Sequence, residues 1–306
     1  MELRIENLSK RYPNGIQALK NVSLSISEGM FGLLGPNGAG KSTLMRILAT
    51  LQEADSGSAR LGDLDVLKEK DLVRKLLGYL PQEFGLYPKV SALDMLDHFA
   101  LLKGITLRND RREIVKALLQ KTNLYEVRRR RLGTFSGGMK QRFGIAQALL
   151  GNPKLIIVDE PTAGLDPEER ARFLDLLTEI GDQIIVILST HIVNDVSDLC
   201  HQMAMIHQGE VILNGDPLQL IEGARGRVWR KAIPKSELAN YRTNFPVISV
   251  RLWSGKTWIH VTSDDCPDPS FEAANPNLED VYLWTMKYRR AQPPPLPHSF
   301  ESVESH

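Results

Sequence analysis

Short apolar runs alternate with helical patterns and glycine-rich turns over the first two thirds of the chain. Met30–Leu34 is apolar and runs directly into the stretch Gly35–Ser42, which predicts a buried strand ending in a glycine loop. From Ser42 to Leu51 the positions Leu44, Met45, Ile47, Leu48 and Leu51 return with helical spacing. Leu155–Val158 and Ile184–Leu188 are continuous apolar runs of the kind that sheets buried on both faces contain. Val90 to about Leu150 reads as mostly helical, with Arg111–Thr122 an amphipathic segment. This alternation predicts an α/β domain over residues 1–220, a mainly parallel sheet covered by helices, with a helical subdomain at about 90–150.

Beyond Gln219 the pattern changes. Residues 221–290 hold all four tryptophans, and Val228–Trp229, Ile248–Trp253 and Thr257–Val261 predict short strands of a small α+β accessory domain. Residues 291–306 open with Pro293-Pro294-Pro295 and predict an extended or disordered tail.

Composition narrows the class. A length of 306 residues agrees with two domains, and 42% hydrophobic with 25% charged residues is ordinary for a globular chain. A net charge of +1 gives no reason to expect nucleic-acid binding. Cys200 and Cys266 are too few for a disulfide framework and suit a reducing cytosol. The apolar runs fall far short of the ~20 residues needed to cross a bilayer. The start Met1-Glu-Leu-Arg-Ile reads as no export signal. If the chain drives transport, a separate polytopic membrane subunit is expected to supply the pore.

Two motifs carry the chemistry. Gly35-Pro36-Asn37-Gly38-Ala39-Gly40-Lys41-Ser42, followed by Thr43, matches the phosphate-binding loop pattern between a strand and a helix. Glycines let the backbone curl round an anion and aim N–H groups at it, and the helix that follows adds the positive end of its dipole. Lys41 is then placed for the β- and γ-phosphates of ATP and Ser42 for Mg²⁺. Asp159-Glu160 ends the run Leu155–Val158, at the carboxyl end of a strand where ligands of such sheets sit. Asp159 is the expected Mg²⁺ ligand, and Glu160 the residue that accepts a proton from the attacking water.

Phe135-Ser136-Gly137-Gly138-Met139 resembles the Leu-Ser-Gly-Gly-Gln signature of ABC (ATP-binding cassette) ATPases. The rest of that cassette follows in order over about residues 2–220. Tyr12 stands where the family stacks an aromatic on adenine, and Gln82 in Gly78-Tyr-Leu-Pro-Gln82 matches the glutamine loop, which also meets Mg²⁺. Ala163-Gly-Leu-Asp166 resembles the D-loop, and His191 the switch histidine. Taken singly, Tyr12 reads as a strand-edge aromatic, Gln82 as a turn residue and His191 as a helix-entry or core histidine; their joint order reverses this. Phe135 and Met139 depart from the usual Leu and Gln, leaving Ser136, Gly137 and Gly138 to contact phosphate. The resemblance implies a P-loop NTPase fold of ABC type and a head-to-tail dimer of cassettes, homodimeric or heterodimeric. Ser136, Gly137 and Gly138 would act across the interface, with Asp166 lining it.

Among such ATPases, the loop, the signature and Asn277-Leu-Glu-Asp-Val-Tyr-Leu283 look most like separate-subunit exporters of the drug-resistance and sodium-extrusion type. That implies a peripheral protein on the cytoplasmic face of the plasma membrane. The alternative is a soluble ABC ATPase of translation or repair. The chain holds one cassette, and the interval between Lys41 and Ser136 leaves room for a helical subdomain, not a long coiled coil. Arg128–Arg131 is a charge run that reads as a solvated face, or as a contact for a membrane subunit or acidic lipid headgroups.

Overall fold

In the computed structural model, residues 1–82, 85–162, 164–181 and 184–288 are described. The chain divides into two compact units, Met1–Val211 and the remainder from Ile212.

The first unit begins with β1 (Glu2–Arg11), β2 (Gln17–Ser27), β3 (Gly29–Leu34), α1 (Lys41–Leu48), β4 (Ser56–Leu61) and β5 (Leu64–Asp65). It continues through α2 (Lys70–Leu76), β6 (Leu77–Leu80), α3 (Ala92–Leu102), α4 (Arg108–Lys121) and α5 (Gly137–Ala148). Then follow β7 (Leu155–Asp159), α6 (Pro167–Gly181), β8 (Ile185–Thr190), α7 (Val193–Leu199) and β9 (Gln202–His207). The division between the units falls within β10 (Glu210–Gly215), ahead of the boundary at 220 expected from the sequence.

Among the described residues the strands of this unit form two sheets. One has the order β10-β9-β3-β8-β7-β6, and its β3–β8, β3–β9, β7–β8 and β6–β7 pairs are parallel. Its interior strands β7 and β8 are buried at every position, which is why their sequences read as unbroken apolar runs. The other sheet, β2-β1-β4-β5, is antiparallel. It explains the alternation in β1, where Leu3 and Ile5 are buried between exposed Glu2, Arg4 and Glu6. The two sheets share one core, in which Leu3, Ile5 and Leu24 join Phe31, Leu44, Ile157 and Ile187.

Helices α3, α4 and α5 form a separate cluster around Leu96, Val115, Leu119, Phe135 and Phe143. Met139, the residue that departs from the usual glutamine, is partly buried against this cluster. Cys200 is buried, and burial first and the Asp195 charge second push its thiol up to about 12, so it stays protonated and unreactive.

The second unit contains α8 (Pro217–Gly223), β11 (Val228–Ile233), α9 (Leu238–Asn244), β12 (Val247–Trp253), β13 (Lys256–Thr262), β14 (Glu272–Ala273) and α10 (Leu278–Lys287). Its strands order as β12-β13-β11-β14, antiparallel in each pair. The element Asn277–Leu283 has a folding role here. Asn277 caps α10, and its side chain and that of Asp280 bond each other's backbone N–H in a capping box. Asp280 is fully buried and its Oδ1 lies 2.8 Å from His260 Nδ1 on β13, so the cap pins helix to sheet. The tail expected at 291–306 lies outside the described residues.

Candidate functional site

Parallel pairing decides where the candidate groups meet. Leu34 pairs with Thr190, Asp159 with Ser189, and Leu80 with Val158. The carboxyl ends of β3, β8, β7 and β6 therefore lie on one edge of the sheet. The phosphate loop leaves β3 there, His191 follows β8, Asp159-Glu160 closes β7, and Gln82 follows β6. This edge is where ligands bind in open parallel sheets.

The loop geometry follows from its glycines. Gly40, at φ 112°, precedes the first turn of α1, and a Cβ there would lie 2.4 Å from the Ala18 carbonyl oxygen. At Gly35 a Cβ would lie 2.4 Å from the Ile206 carbonyl oxygen. Both close approaches exclude a side chain. Lys41 is 6% exposed, and its Nζ donates to the Gly35 oxygen at 2.7 Å and the Pro36 oxygen at 3.3 Å. The same ammonium lies 3.4 Å from Glu160 Oε1.

Glu160 is the most constrained residue of the site. It is 6% exposed and adopts φ 50°, the left-handed region that costs a non-glycine residue about 1–3 kcal/mol. Its N–H donates to the Ser189 carbonyl at 2.8 Å, which holds the turn. Its Oε2 lies 2.6 Å from His191 Nδ1; a carboxylate only accepts, so the imidazole donates from Nδ1. Asp159 is buried too, and its Oδ1 has no hydrogen-bond partner. An unpartnered buried carboxylate oxygen is the type of donor that a hard divalent cation takes.

A cleft of about 860 Å³ collects Tyr12, Gly38, Lys41, Ser42, Thr43, Gln82 and Glu160. Pro36, Asn37, Ala39 and Gly40 line it as well. Tyr12 is held at its hydroxyl, which lies 3.1 Å from Thr43 Oγ1 and donates to Gln52 Oε1 at 3.2 Å. Arg46 and Gln208 also line the cleft, and the sequence offered no signal for either.

Ser136, Gly137, Gly138 and Asp166 are not among the residues lining this cleft. Ser136 caps α5, its Oγ accepting from the Met139 N–H at 3.2 Å, and Ser136 and Gly137 are exposed. The start of the helix is thus open to solvent at its positive end. Asp166 Oδ1 accepts from the Glu169 N–H at 2.9 Å at the start of α6. The side chain of Glu169 packs against Gly138 and pairs with Arg142 at 3.3 Å, joining the starts of α5 and α6. Ala163, the first residue of the D-loop candidate, lies outside the described residues.

A buried network missed by sequence reasoning supports this region. Asp195 is fully buried, accepts from Thr162 Oγ1 at 2.7 Å, and takes a fork from Arg170 Nε and Nη2 at 2.9 and 2.5 Å. It ties the segment after Glu160 to α6 and to the helix after His191. Arg170→Ala is expected to leave this carboxylate underpaired and to destabilise the protein by about 3 kcal/mol, the low end for a broken buried pair because Arg170 is partly exposed. Thermal unfolding with and without the substitution measures it, and an unchanged midpoint would remove Asp195 as a support.

Comparison with known proteins agrees with the geometry. Residues 19–163 match the family model described as ABC transporter. The chain is 35% identical over 297 residues to the ABC transporter ATP-binding protein YxlF of Bacillus subtilis, covering 92% of this chain and 98% of that one. It is 36% identical over 220 residues to the linearmycin resistance ATP-binding protein LnrL of the same organism, with 71% and 70% covered. Against the probable multidrug ABC transporter ATP-binding protein YbhF of Escherichia coli the identity is 31%, over 92% of this chain and 51% of YbhF, about half that protein's length. Among solved structures, the dimeric post-hydrolysis cassette MJ0796 bound to ADP and Pi aligns with a TM-score of 0.64 and 29% identity, covering 70% of this chain and 98% of that one. The chain belongs to the ABC transporter family and is an ATP-binding subunit of that family. Its activity is ATP hydrolysis.

Proposed function

We propose that the chain powers export through a separate membrane subunit, by closing and opening a head-to-tail pair of cassettes around ATP. The observation that carries the hydrolytic part of this reading is the grip on Glu160. Lys41 from the phosphate loop and His191 from the next strand end both reach its carboxylate, within 3.4 and 2.6 Å.

In this reading Tyr12 stacks on the adenine, while the amides of Gly35–Thr43 and the Lys41 ammonium hold the phosphates. Ser42, Gln82 and Asp159 would hold Mg²⁺, which supplies charge neutralisation on the phosphate oxygens. Glu160 accepts the proton of the attacking water, and His191 fixes its carboxylate through Nδ1. The exposed start of α5 presents Ser136 and the Gly137 and Gly138 amides to the γ-phosphate held by a second cassette, with Asp166 at the same interface. Loss of that phosphate would remove contacts made only in the closed pair.

No helix among the described residues is long and apolar enough to cross a membrane. A partner of that kind is therefore part of the proposal, with this chain on the cytoplasmic face. The relatives named for multidrug transport and linearmycin resistance support the export direction. Tagged protein recovered from its own membranes in mild detergent should bring down a stoichiometric polytopic chain. Recovery from the soluble fraction alone, or with ribosomes or nucleic acid, would overturn the transport reading and leave the ATPase intact.

A further inference from the structure

The arginine run Arg128–Arg131 is not used by the nucleotide site, and the fold gives part of it a second wall. Arg128 and Arg129 line a cleft of about 480 Å³ whose other cations, Arg108, Arg111, Arg112 and Lys116, come from α4. Six cations there face three carboxylates, Asp94, Asp97 and Glu113. Two of those carboxylates are engaged. Asp97 accepts from Arg111 Nε at 2.8 Å, and Asp94 accepts from Ser91 Oγ at 2.6 Å.

Two guanidiniums are held in place. Arg111 also donates to the Ile105 and Thr106 carbonyls at 3.3 and 3.2 Å. Arg128 lies 3.8 Å from the centroid of the Tyr125 ring and donates to the Tyr125 carbonyl at 2.7 Å. The side chains of Arg108, Arg112, Lys116 and Arg129 make no hydrogen bond or ion pair among the described residues.

Contacts within the fold account for Arg111 and Arg128 but not for Arg108, Arg112, Lys116 and Arg129. Arg108 opens α4, and Arg111 and Arg112 follow one turn on, after Asn109 and Asp110. The positive end of a helix favours carboxylates; Asp110 meets that preference in the first turn and Arg111 is paired with Asp97, whereas Arg108 and Arg112 have no such partner among the described residues. A solvated helix face would intersperse signs along one surface, whereas these cations converge from two separate segments on one concavity.

We propose that this cleft binds the phosphate group of an anionic ligand, the guanidinium forks engaging its oxygens in pairs. A phosphorylated lipid headgroup and a free phosphate compound present the same chemistry. Leu107 and Ile114, exposed at the start of α4 and along it, would meet acyl chains if the source is a lipid.

The test uses the full chain carrying Lys41→Ala, which weakens the phosphate loop as a competing site. Co-sedimentation with phosphatidylcholine vesicles, with and without phosphatidic acid, probes the lipid; calorimetry with pyrophosphate probes the free anion. Binding to either probe is expected to weaken about 10-fold or more in Arg112→Glu/Arg129→Glu. The equal charge change Lys235→Glu/Lys256→Glu, on the other unit, should leave it in place. Binding to the phosphatidic acid vesicles alone assigns a lipid source, and binding to pyrophosphate assigns a free phosphate compound. Absence of binding to both probes, indifference to the cleft substitutions, or equal weakening by the control pair would each overturn the proposal. Basal ATPase of the cleft variant with Lys41 restored should equal wild type, which shows that it folds.

Discussion

Glu160→Gln is expected to bind ATP with wild-type affinity while its hydrolysis falls roughly 10²–10⁴-fold, the usual worth of a positioned general base. The amide keeps the length of the side chain but cannot take a proton. The Lys41 ammonium, 3.4 Å away, loses a partner of opposite charge and remains bonded to the Gly35 and Pro36 carbonyls, so the loop should hold its shape. With hydrolysis blocked and binding kept, the closed pair should accumulate in ATP. Size-exclusion chromatography with ATP and Mg²⁺, beside a phosphate-release assay, reads both effects. Wild-type turnover would sink the assignment of Glu160, and lost turnover without a dimer would sink the head-to-tail closure.

Lys41→Ala acts one step earlier. A charge-assisted hydrogen bond contributes about 1.5–3 kcal/mol, so ATP affinity should fall roughly 10- to 150-fold. The loss has a second source in this chain. Lys41 is the cation next to Glu160, itself 6% exposed beside the buried Asp159. Without that ammonium the polyanionic ligand would meet carboxylates with less neutralisation. Equilibrium binding of a fluorescent ATP analogue, with circular dichroism to check the fold, gives the measurement. Retained affinity would show that the loop amides and the start of α1 suffice.

Much of this site was legible because its elements are local. Met30–Leu34 with Gly35–Ser42, and Leu155–Val158 with Asp159-Glu160, each join a buried strand to its chemistry within a few residues, and both strands stand where the pattern put them. The boundaries of α4 moved from Arg111–Thr122 to Arg108–Lys121, three residues earlier at the start and one at the end, since helical periodicity marks the buried face better than the ends. What stayed hidden depends on distant partners. Asp195 reads as an ordinary polar residue until Thr162 and Arg170 close on it from 33 and 25 residues away. The left-handed turn at Glu160 is imposed by Ser189 across the sheet, against the residue's own preference. The antiparallel sheet announced itself in the alternation of Leu3 and Ile5, yet the apolar runs of the parallel strands dominated the pattern. Asn277–Asp280 looked like a family mark, and the capping box with His260 explains it as a helix start.

The sheet order also sorts the site by how readily its parts can open. The phosphate loop, His191 and Glu160 hang from β3, β8 and β7, adjacent interior strands each paired on both sides, where opening costs most. Tyr12 follows β1 at the turn of a hairpin, and Gln82 follows β6, the edge strand, and is itself exposed. Gln82 stands where local opening costs least, whereas Tyr12 is tied through its hydroxyl to Thr43 and Gln52. Local opening at the rim would thus leave the residues carried by the interior strands in register.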